Sequence, residues 1–108
     1  MAAEGLSVAD ADEIIHQSTR LRLMSVLNAL PDGEALDFKR LKAIAQATDG
    51  NLGAHLATLE KAGYIAIDKD FVGKRPRTQA RISRTGRRAF ERHLQYLRDI
   101  IEGVAPGD

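Results

Sequence analysis

The sequence contains no cysteine and no long apolar run. Without cysteine the chain can form no disulfide, no thiolate metal site and no cysteine nucleophile. No apolar stretch approaches the roughly 20 residues that a membrane-spanning helix needs. The first residues, MAAEGLSVADADE, are acidic and polar, which is unlike a secretory signal. These absences predict a cytoplasmic protein that has no membrane partner.

Catalytic motifs are missing as well. The sequence has no glycine-rich phosphate loop, no nucleophile elbow, no His-Glu-x-x-His and no pair of acids inside an apolar segment. We therefore expect a protein that is not an enzyme and that carries no cofactor. Its 108 residues, 44% of them hydrophobic, suffice for one globular domain spanning residues 1–108 and are too few for two independent cores.

The net charge of +1 conceals an uneven distribution. Residues 1–36 have a net charge of −4, residues 37–73 are neutral, and residues 74–108 have a net charge of +5. Seven basic residues and no acidic one lie between Lys74 and Arg88. Such a concentration is typical of a surface that binds a polyanion, whereas an ordinary solvated face usually mixes both signs.

Apolar residues recur at helical spacing through the first 62 residues. A residue suited to capping a helix N-terminus precedes each periodic stretch. Pro31 and Gly63 end two of these stretches, because proline cannot continue a helix and glycine suits a helix C-terminus. The predicted helices, each with its capping residue, are 8–17 (Ser7), 19–30 (Ser18 or Thr19), 38–47 (Asp37) and 51–62 (Thr48 or Asp49).

The period becomes alternating after Gly63. Residues 64–69 and 78–83 are predicted to form the two strands of a hairpin, with residues 70–77, DFVGKRPR, at its tip. A further short extended stretch lies at residues 35–37. A final helix is expected over residues 85–102.

A winged helix-turn-helix, an α+β and mostly helical fold, accounts for this order of elements, with its core in residues 19–83. One helix of such a domain fits the major groove of DNA, where base edges present a distinct pattern of donors and acceptors. The helix before it, whose polar side carries Lys39 and Arg40, crosses the backbone. We expect double-stranded DNA rather than RNA, because the major groove of A-form RNA is too deep and narrow.

The helix over residues 51–62 is the predicted recognition helix. Leu52, Leu56 and Leu59 form its apolar face. The opposite face combines small residues, which allow close approach to DNA, with side chains that hydrogen-bond. The residues expected to contact DNA are Asn51, Gly53, Ala54, His55 and Thr58. The alternative for His55 is a half-buried position beside the leucines.

The hairpin is the predicted wing. Lys74, Arg75 and Arg77 are expected to contact DNA, and Pro76 stiffens the backbone between the two arginines. Arginine is preferred where a narrow minor groove deepens the negative potential. The alternative is that these residues only keep an exposed loop soluble.

Four strings in order resemble the winged-helix transcription regulators of the MarR and ArsR type, in particular the short stand-alone winged-helix DNA-binding domain family. They are HQSTRLRLMSVL, DFKRLKAIAQATDGNLGAHLATLEKAGYI, FVGKRPRTQARIS and RTGRRAF. The resemblance implies base contacts from the recognition helix and wing contacts from Arg75 and Arg77. Gly53 and Ala54 stand where these families often have a serine and a polar residue, so the sequence read is expected to differ.

The last helix has an apolar seam of Phe90, Leu94, Leu97 and Ile101, whose spacing of 4, 3 and 4 is typical of paired helices. Regulators of this type usually bind two half-sites, so the resemblance implies a homodimer built on this helix. The alternative is that the helix packs on the second helix of its own chain. Both arrangements are compatible on different faces.

Two alternative functions are compatible with a winged-helix fold. A metal-responsive ArsR-type repressor is disfavoured because Glu91 and His93 project from nearly perpendicular helix faces, so no metal site is expected. A winged helix used only for protein–protein contact would be expected to lose its basic wing. A small-molecule effector is compatible with the family, but nothing in the sequence supports one.

Overall fold

The computed structural model describes residues 11–103 of the chain. It contains five helices and three strands within this range. They are α1 (Glu13–His16), α2 (Ser18–Asn28), β1 (Leu36–Asp37), α3 (Phe38–Ala45), α4 (Asp49–Lys61), β2 (Ile65–Val72), β3 (Arg75–Ile82) and α5 (Arg84–Ile101). The order and type of these elements are those of a winged helix, as the sequence predicts.

The N-terminal helix is shorter than predicted. Ser7 and residues 8–10 lie outside the described residues, and α1 begins only at Glu13. Its cap is Asp12, whose carboxylate accepts hydrogen bonds from the backbone N–H groups of Ile14 and Ile15, at 2.9 and 3.1 Å. The acidic N-terminal cap also suits the positive end of the helix dipole.

The other helices begin within two residues of their predicted starts: α3 at the predicted residue, α2 and α5 one residue earlier, and α4 two residues earlier. The side chains of Asp37, Thr48 and Ser83 each accept a backbone N–H at the start of α3, α4 and α5. For α2 the prediction of Ser18 or Thr19 is wrong. Gln17 caps this helix, because its Oε1 accepts from the backbone N–H of Arg20 at 2.9 Å.

The hairpin is longer than the alternation alone predicts. The strands form one antiparallel sheet in the order β1-β3-β2, and pairing of β2 with β3 continues to Val72 opposite Arg75. Only Gly73 and Lys74 form the turn, and Gly73 has a φ of +64°, which glycine adopts without strain. Arg75 and Arg77 therefore lie on β3 rather than in a loop, which corrects the predicted tip at residues 70–77.

One hydrophobic core joins all five helices to the inner face of the sheet. Each element contributes at least one buried side chain. The largest that are fully buried and apolar are Ile15, Leu23, Met24, Leu27, Leu41, Leu52 and Leu59. The three leucines predicted for the apolar face of α4 are all within 2% of complete burial. Their burial fixes the orientation of α4 and leaves its opposite face to solvent.

The first turns of α5 are anchored by two close contacts. A Cβ atom added at Gly86 would lie 2.1 Å from the backbone oxygen of Tyr64, so no larger residue fits there. The guanidinium of Arg87 donates to the backbone oxygens of Asn28 and Leu30, both at 2.8 Å. The Asn28 carbonyl ends α2 and the Leu30 carbonyl lies two residues beyond the helix, so Arg87 supplies donors that the end of the helix lacks.

A buried histidine connects α5 to the N-terminal segment. His93 is completely buried, and its Nδ1 accepts the backbone N–H of Asp12 at 3.1 Å. The Tyr64 hydroxyl donates to the other carboxylate oxygen of Asp12 at 2.6 Å. Burial, and then this hydrogen bond, raise the pKa of Tyr64 to about 12, so the hydroxyl stays protonated and donating. The His16 ring packs edge-on against His93, with ring centres 5.3 Å apart.

This arrangement predicts a pH-dependent stability. Burial, and then the neighbouring His16, lower the pKa of His93 below its ordinary value of 6.5. The unfolded chain therefore binds a proton more readily than the folded chain, so the free energy of unfolding falls as the pH drops below about 6.5. We expect His93→Gln to flatten this dependence in urea unfolding measured between pH 8 and pH 5.

His16→Gln is the comparison variant, because it removes the second cause of the lowered pKa of His93 and leaves the first cause, the burial of His93, in place. It should retain most of the slope. A His93→Gln variant that loses stability as steeply as the wild type below pH 6.5 would contradict the assignment to His93.

Candidate nucleic-acid interface

The outward face of α4 carries the residues predicted to read DNA. Asn51 and Ala54 are exposed, while Gly53 and Thr58 are partly covered. The Thr58 hydroxyl donates to the backbone oxygen of Ala54 at 3.1 Å, so only its lone pairs remain for a partner. The face is small and polar along its length, and a smooth helix surface of this kind allows close approach to a groove.

For His55 the sequence leaves two alternatives, a half-buried position beside the leucines and a contact with DNA. His55 is half-buried, and its Nδ1 lies 3.1 Å from the Nη1 of Arg20 on α2. Burial, and then the positive charge of Arg20, lower the pKa of His55, so the ring is neutral near pH 7. Arg20 is a residue of this site that sequence reasoning missed, because 35 positions separate it from His55.

The supporting helix α3 places basic side chains beside the start of α4. Lys39 and Arg40, which the sequence predicts to contact the DNA backbone, are both exposed. Lys42 forms an ion pair with Asp49 at 2.7 Å, which places its charge at the first turn of α4. An open groove lies between α3 and the wing. Its basic lining residues are Lys39 and Lys42 of α3 and Lys74, Arg75 and Arg77 of the wing.

The wing is less uniformly positive than the sequence suggests. Arg77 donates to both carboxylate oxygens of Asp70, at 2.9 and 2.6 Å, and Arg81 pairs with Asp68. Both acids lie on β2, directly before the basic run, and the antiparallel pairing brings them to the same face of the sheet. The expectation that no acid neutralises the wing arginines is therefore wrong for Arg77.

Three wing charges have no acidic partner within residues 11–103: those of Lys69 on β2, Lys74 in the turn and Arg75 on β3. The basic run from Lys74 to Arg88 thus divides by role. Arg77 and Arg81 hold the two wing strands together, and Arg87 closes the end of α2.

The wing also exposes apolar side chains that sequence reasoning missed. Phe71 is 68% exposed and Val72 55% exposed. Phe71 stands opposite Pro76, on the same sheet face as the buried Ile65 and Ile82, but beyond the helices that cover them. The sequence signal for this surface is the apolar pair Phe71 and Val72 inside DFVGKRPR. A hairpin tip whose only requirement is solubility would have polar residues at these positions.

The apolar seam predicted on α5 divides between the inside and the outside of the protomer. Phe90 is 4% exposed and belongs to the core of its own chain, and Leu94 packs against that core. Leu97 is half-buried, whereas Ile101 is 81% exposed. The first half of α5 therefore packs on helices of its own chain, which is the alternative to a dimer that the sequence analysis gave. Apolar surface remains exposed at the C-terminal end of α5.

Residues 11–103 were also compared with the requirements of a metal site and of a membrane-spanning helix. No group of three His, Asp or Glu side chains within residues 11–103 is arranged to hold a metal ion. Among the helices in that range, none has the length and apolar character that a membrane crossing requires.

Comparison with known proteins agrees with this geometry. Residues 19–101 match the family described as winged helix DNA-binding domain. Because the match covers more than half of the chain, the protein belongs to this family. The fold and the resemblance predicted from the sequence are therefore confirmed.

Individual relatives are distant. An uncharacterized protein of Methanocaldococcus jannaschii is 28% identical over 92 residues, which are 85% of this chain and 97% of that protein. The structure of a transcriptional regulator homologue from Pyrococcus horikoshii OT3 superimposes with a TM-score of 0.74 at 28% identity, over 86% of this chain and 89% of that one.

NadR, in its complex with 4-hydroxyphenylacetate, is more distant still. Its structure gives a TM-score of 0.62 at 22% identity, over 85% of this chain and 65% of that one. At this identity the likeness concerns the fold alone.

Proposed function

We propose that this protein is a transcriptional regulator that binds double-stranded DNA as a homodimer, with α4 in the major groove. The observation that carries the proposal is the juxtaposition of a small, polar outward face of α4 with unneutralised basic residues on the wing. Membership of the winged helix DNA-binding domain family and the likeness to the transcriptional regulator homologue support it.

Base reading is assigned to the N-terminal half of α4. Asn51 is exposed in its first turn, and an asparagine amide forms two hydrogen bonds with the N6 and N7 atoms of adenine. Gly53 and Ala54 have no side chain beyond Cβ, so the helix axis can approach the base edges. The positive end of the helix dipole favours the same approach, because the phosphates beside the groove are negative.

The wing is assigned to the neighbouring minor groove. A cleft separates α4 from the wing, with Gly53 and Ala57 on one side and Lys69 and Thr78 on the other. One phosphodiester strand separates a major groove from the adjacent minor groove, so a strand lying in this cleft places α4 and the wing in different grooves. The exposed Phe71 then faces the deoxyribose walls, which are apolar.

The homodimer is assigned to the end of α5. Ile100 and Ile101 are 59% and 81% exposed, and the half-buried Leu97 adjoins them one turn earlier. Covering such residues with a second copy of the helix removes apolar surface from water. A twofold arrangement also presents two copies of α4 to one duplex, which is how helix-turn-helix dimers read two half-sites.

The direct test is selection of bound duplexes from a random library at a fixed salt concentration near 0.15 M. We expect an enriched palindrome whose half-sites lie about 10 base pairs, or a multiple of that, apart. Asn51→Ala should weaken binding to the selected duplex by about 1–3 kcal/mol and relax the preference at one base pair. Ser25→Ala, which removes an exposed hydroxyl on α2, is the control. Equal weakening of every duplex by Asn51→Ala would contradict base reading by this residue.

The wing is tested by the salt dependence of binding. Arg75→Ala should reduce the slope of log K against log salt concentration by about 1, because one phosphate contact is lost. Arg77→Ala should change the slope less, because Asp70 already neutralises Arg77. Asp70→Asn should strengthen binding, since it removes an acid and frees that guanidinium. Identical slopes for the wild type and Arg75→Ala would remove the wing from the interface.

Light scattering at micromolar concentration tests the homodimer. We expect the mass of two chains for the wild type and of one chain for Ile101→Glu, because the introduced carboxylate would be buried at the interface without a partner. Ile101 is exposed in the protomer, so the variant should keep the helical circular dichroism of the wild type. Thr85→Glu adds the same charge at the other end of α5 and should remain dimeric. A monomeric wild type would refute this part of the proposal.

A further inference from the structure

One side chain from outside α3 and α4 reaches the predicted recognition helix. Arg20 lies on α2, and its guanidinium makes two contacts. The Nε–H donates to the backbone oxygen of Ile14 in α1 at 2.6 Å, and Nη1 lies 3.1 Å from the Nδ1 of His55. The first contact fixes the plane of the guanidinium, and the second fixes the ring of His55.

The chemistry of this pair determines where the His55 ring carries its proton. A guanidinium has only donors and stays protonated in proteins. The Nδ1 of His55 must therefore present a lone pair to Arg20, and the single proton of the neutral ring resides on Nε2. Burial and the charge of Arg20, which lower the pKa of His55, keep the ring in this neutral form.

The remaining ring nitrogen of His55 is available to a partner. Within residues 11–103, the Nε2 of His93 is the sole buried side-chain nitrogen or oxygen that lacks a hydrogen bond. The Nε2 of His55 makes no hydrogen bond in that range either, and the residue is partly exposed. His55 thus offers a single N–H, directed away from Arg20, on a helix assigned to the major groove.

We infer that Arg20 is a specificity-determining positioning residue, which restricts His55 to contact with a hydrogen-bond acceptor on a base edge. A histidine free to exchange tautomers can accept or donate equally well. With Arg20 in place, His55 can bind the N7 or O6 of guanine, the N7 of adenine or the O4 of thymine. Cytosine presents only the N4 amino donor there, so it is rejected. The inference rests on the proposed docking of α4.

The first arm of the test examines the ring without DNA. Nitrogen-15 NMR of the full wild-type chain should show His55 with a protonated Nε2 and an unprotonated Nδ1, its signals being assigned by their loss in His55→Gln. Arg20→Met should move both signals towards the averaged values of exchanging tautomers. Arg20→Lys, which keeps a donor and a charge, should retain the wild-type pattern. A wild-type ring protonated on Nδ1, or already averaged, would overturn the inference.

The second arm measures discrimination on DNA. In the duplex selection, the wild type should disfavour cytosine at one position, and Arg20→Met should reduce that discrimination about three- to tenfold, the worth of one hydrogen bond. Arg22→Met removes an exposed arginine from the same helix and should leave the discrimination intact. Circular dichroism and the retained preference at the Asn51 position identify a folded Arg20→Met protein.

The outcomes separate this inference from the proposed function. A wild type that selects no duplex overturns the proposed function, whatever the NMR arm shows. A wild type that selects a duplex, with the same preference at every position in Arg20→Met, overturns the role of Arg20 alone. A uniform loss of affinity in Arg20→Met would assign His55 to a phosphate and would likewise overturn it.

Discussion

The burial of three leucines on one side of α4 determines which side chains of this protein can meet a partner. Leu52, Leu56 and Leu59 are almost completely buried, and together they prevent rotation of the helix about its axis. Each would cost about 2–5 kcal/mol if truncated to alanine in a close-packed core. The opposite face then contains Asn51 and Ala54 by geometric necessity, since residues on one helix recur every 3.6 positions.

Ion pairs and hydrogen bonds within the protein limit which basic side chains can meet a polyanion. The number of basic residues in the sequence does not reveal this limit. The basic run near the C-terminus looks like one surface in the sequence, yet several of its arginines are engaged within the protein. Arg77 and Arg81 pair with acids on the adjacent strand, and Arg87 satisfies carbonyls at the end of α2. Lys74 and Arg75, at the turn, keep charges that no acid in the described residues neutralises. The unneutralised charge of the wing therefore lies at its turn and, through Lys69, beside the cleft that faces α4.

Local signals explain most of what the sequence predicts correctly. The capping roles of Asp37 and Thr48 depend on a side chain and a backbone group three residues apart, so they are legible in the sequence. The length of the hairpin cannot be read from local sequence. The ion pair of Asp70 with Arg77, which stabilises the last residues of the hairpin, involves both strands. The inward packing of Phe90 on α5 was one of two alternatives that the sequence left open. Only the folded chain, in which α1 and α2 lie beside α5, decides between them.

The short helix α1 shows how far such long-range contacts reach. Four residues cannot form a stable helix in isolation, because nucleation costs more than one turn returns. Tertiary contacts hold α1 instead: the Asp12 cap is tied to His93 and Tyr64, and Ile15 is fully buried. Its Ile14 carbonyl in turn accepts the Nε–H of Arg20, whose other end holds His55. The position of the His55 side chain on α4 therefore depends on the same contacts that attach α5 to the N-terminal helix α1.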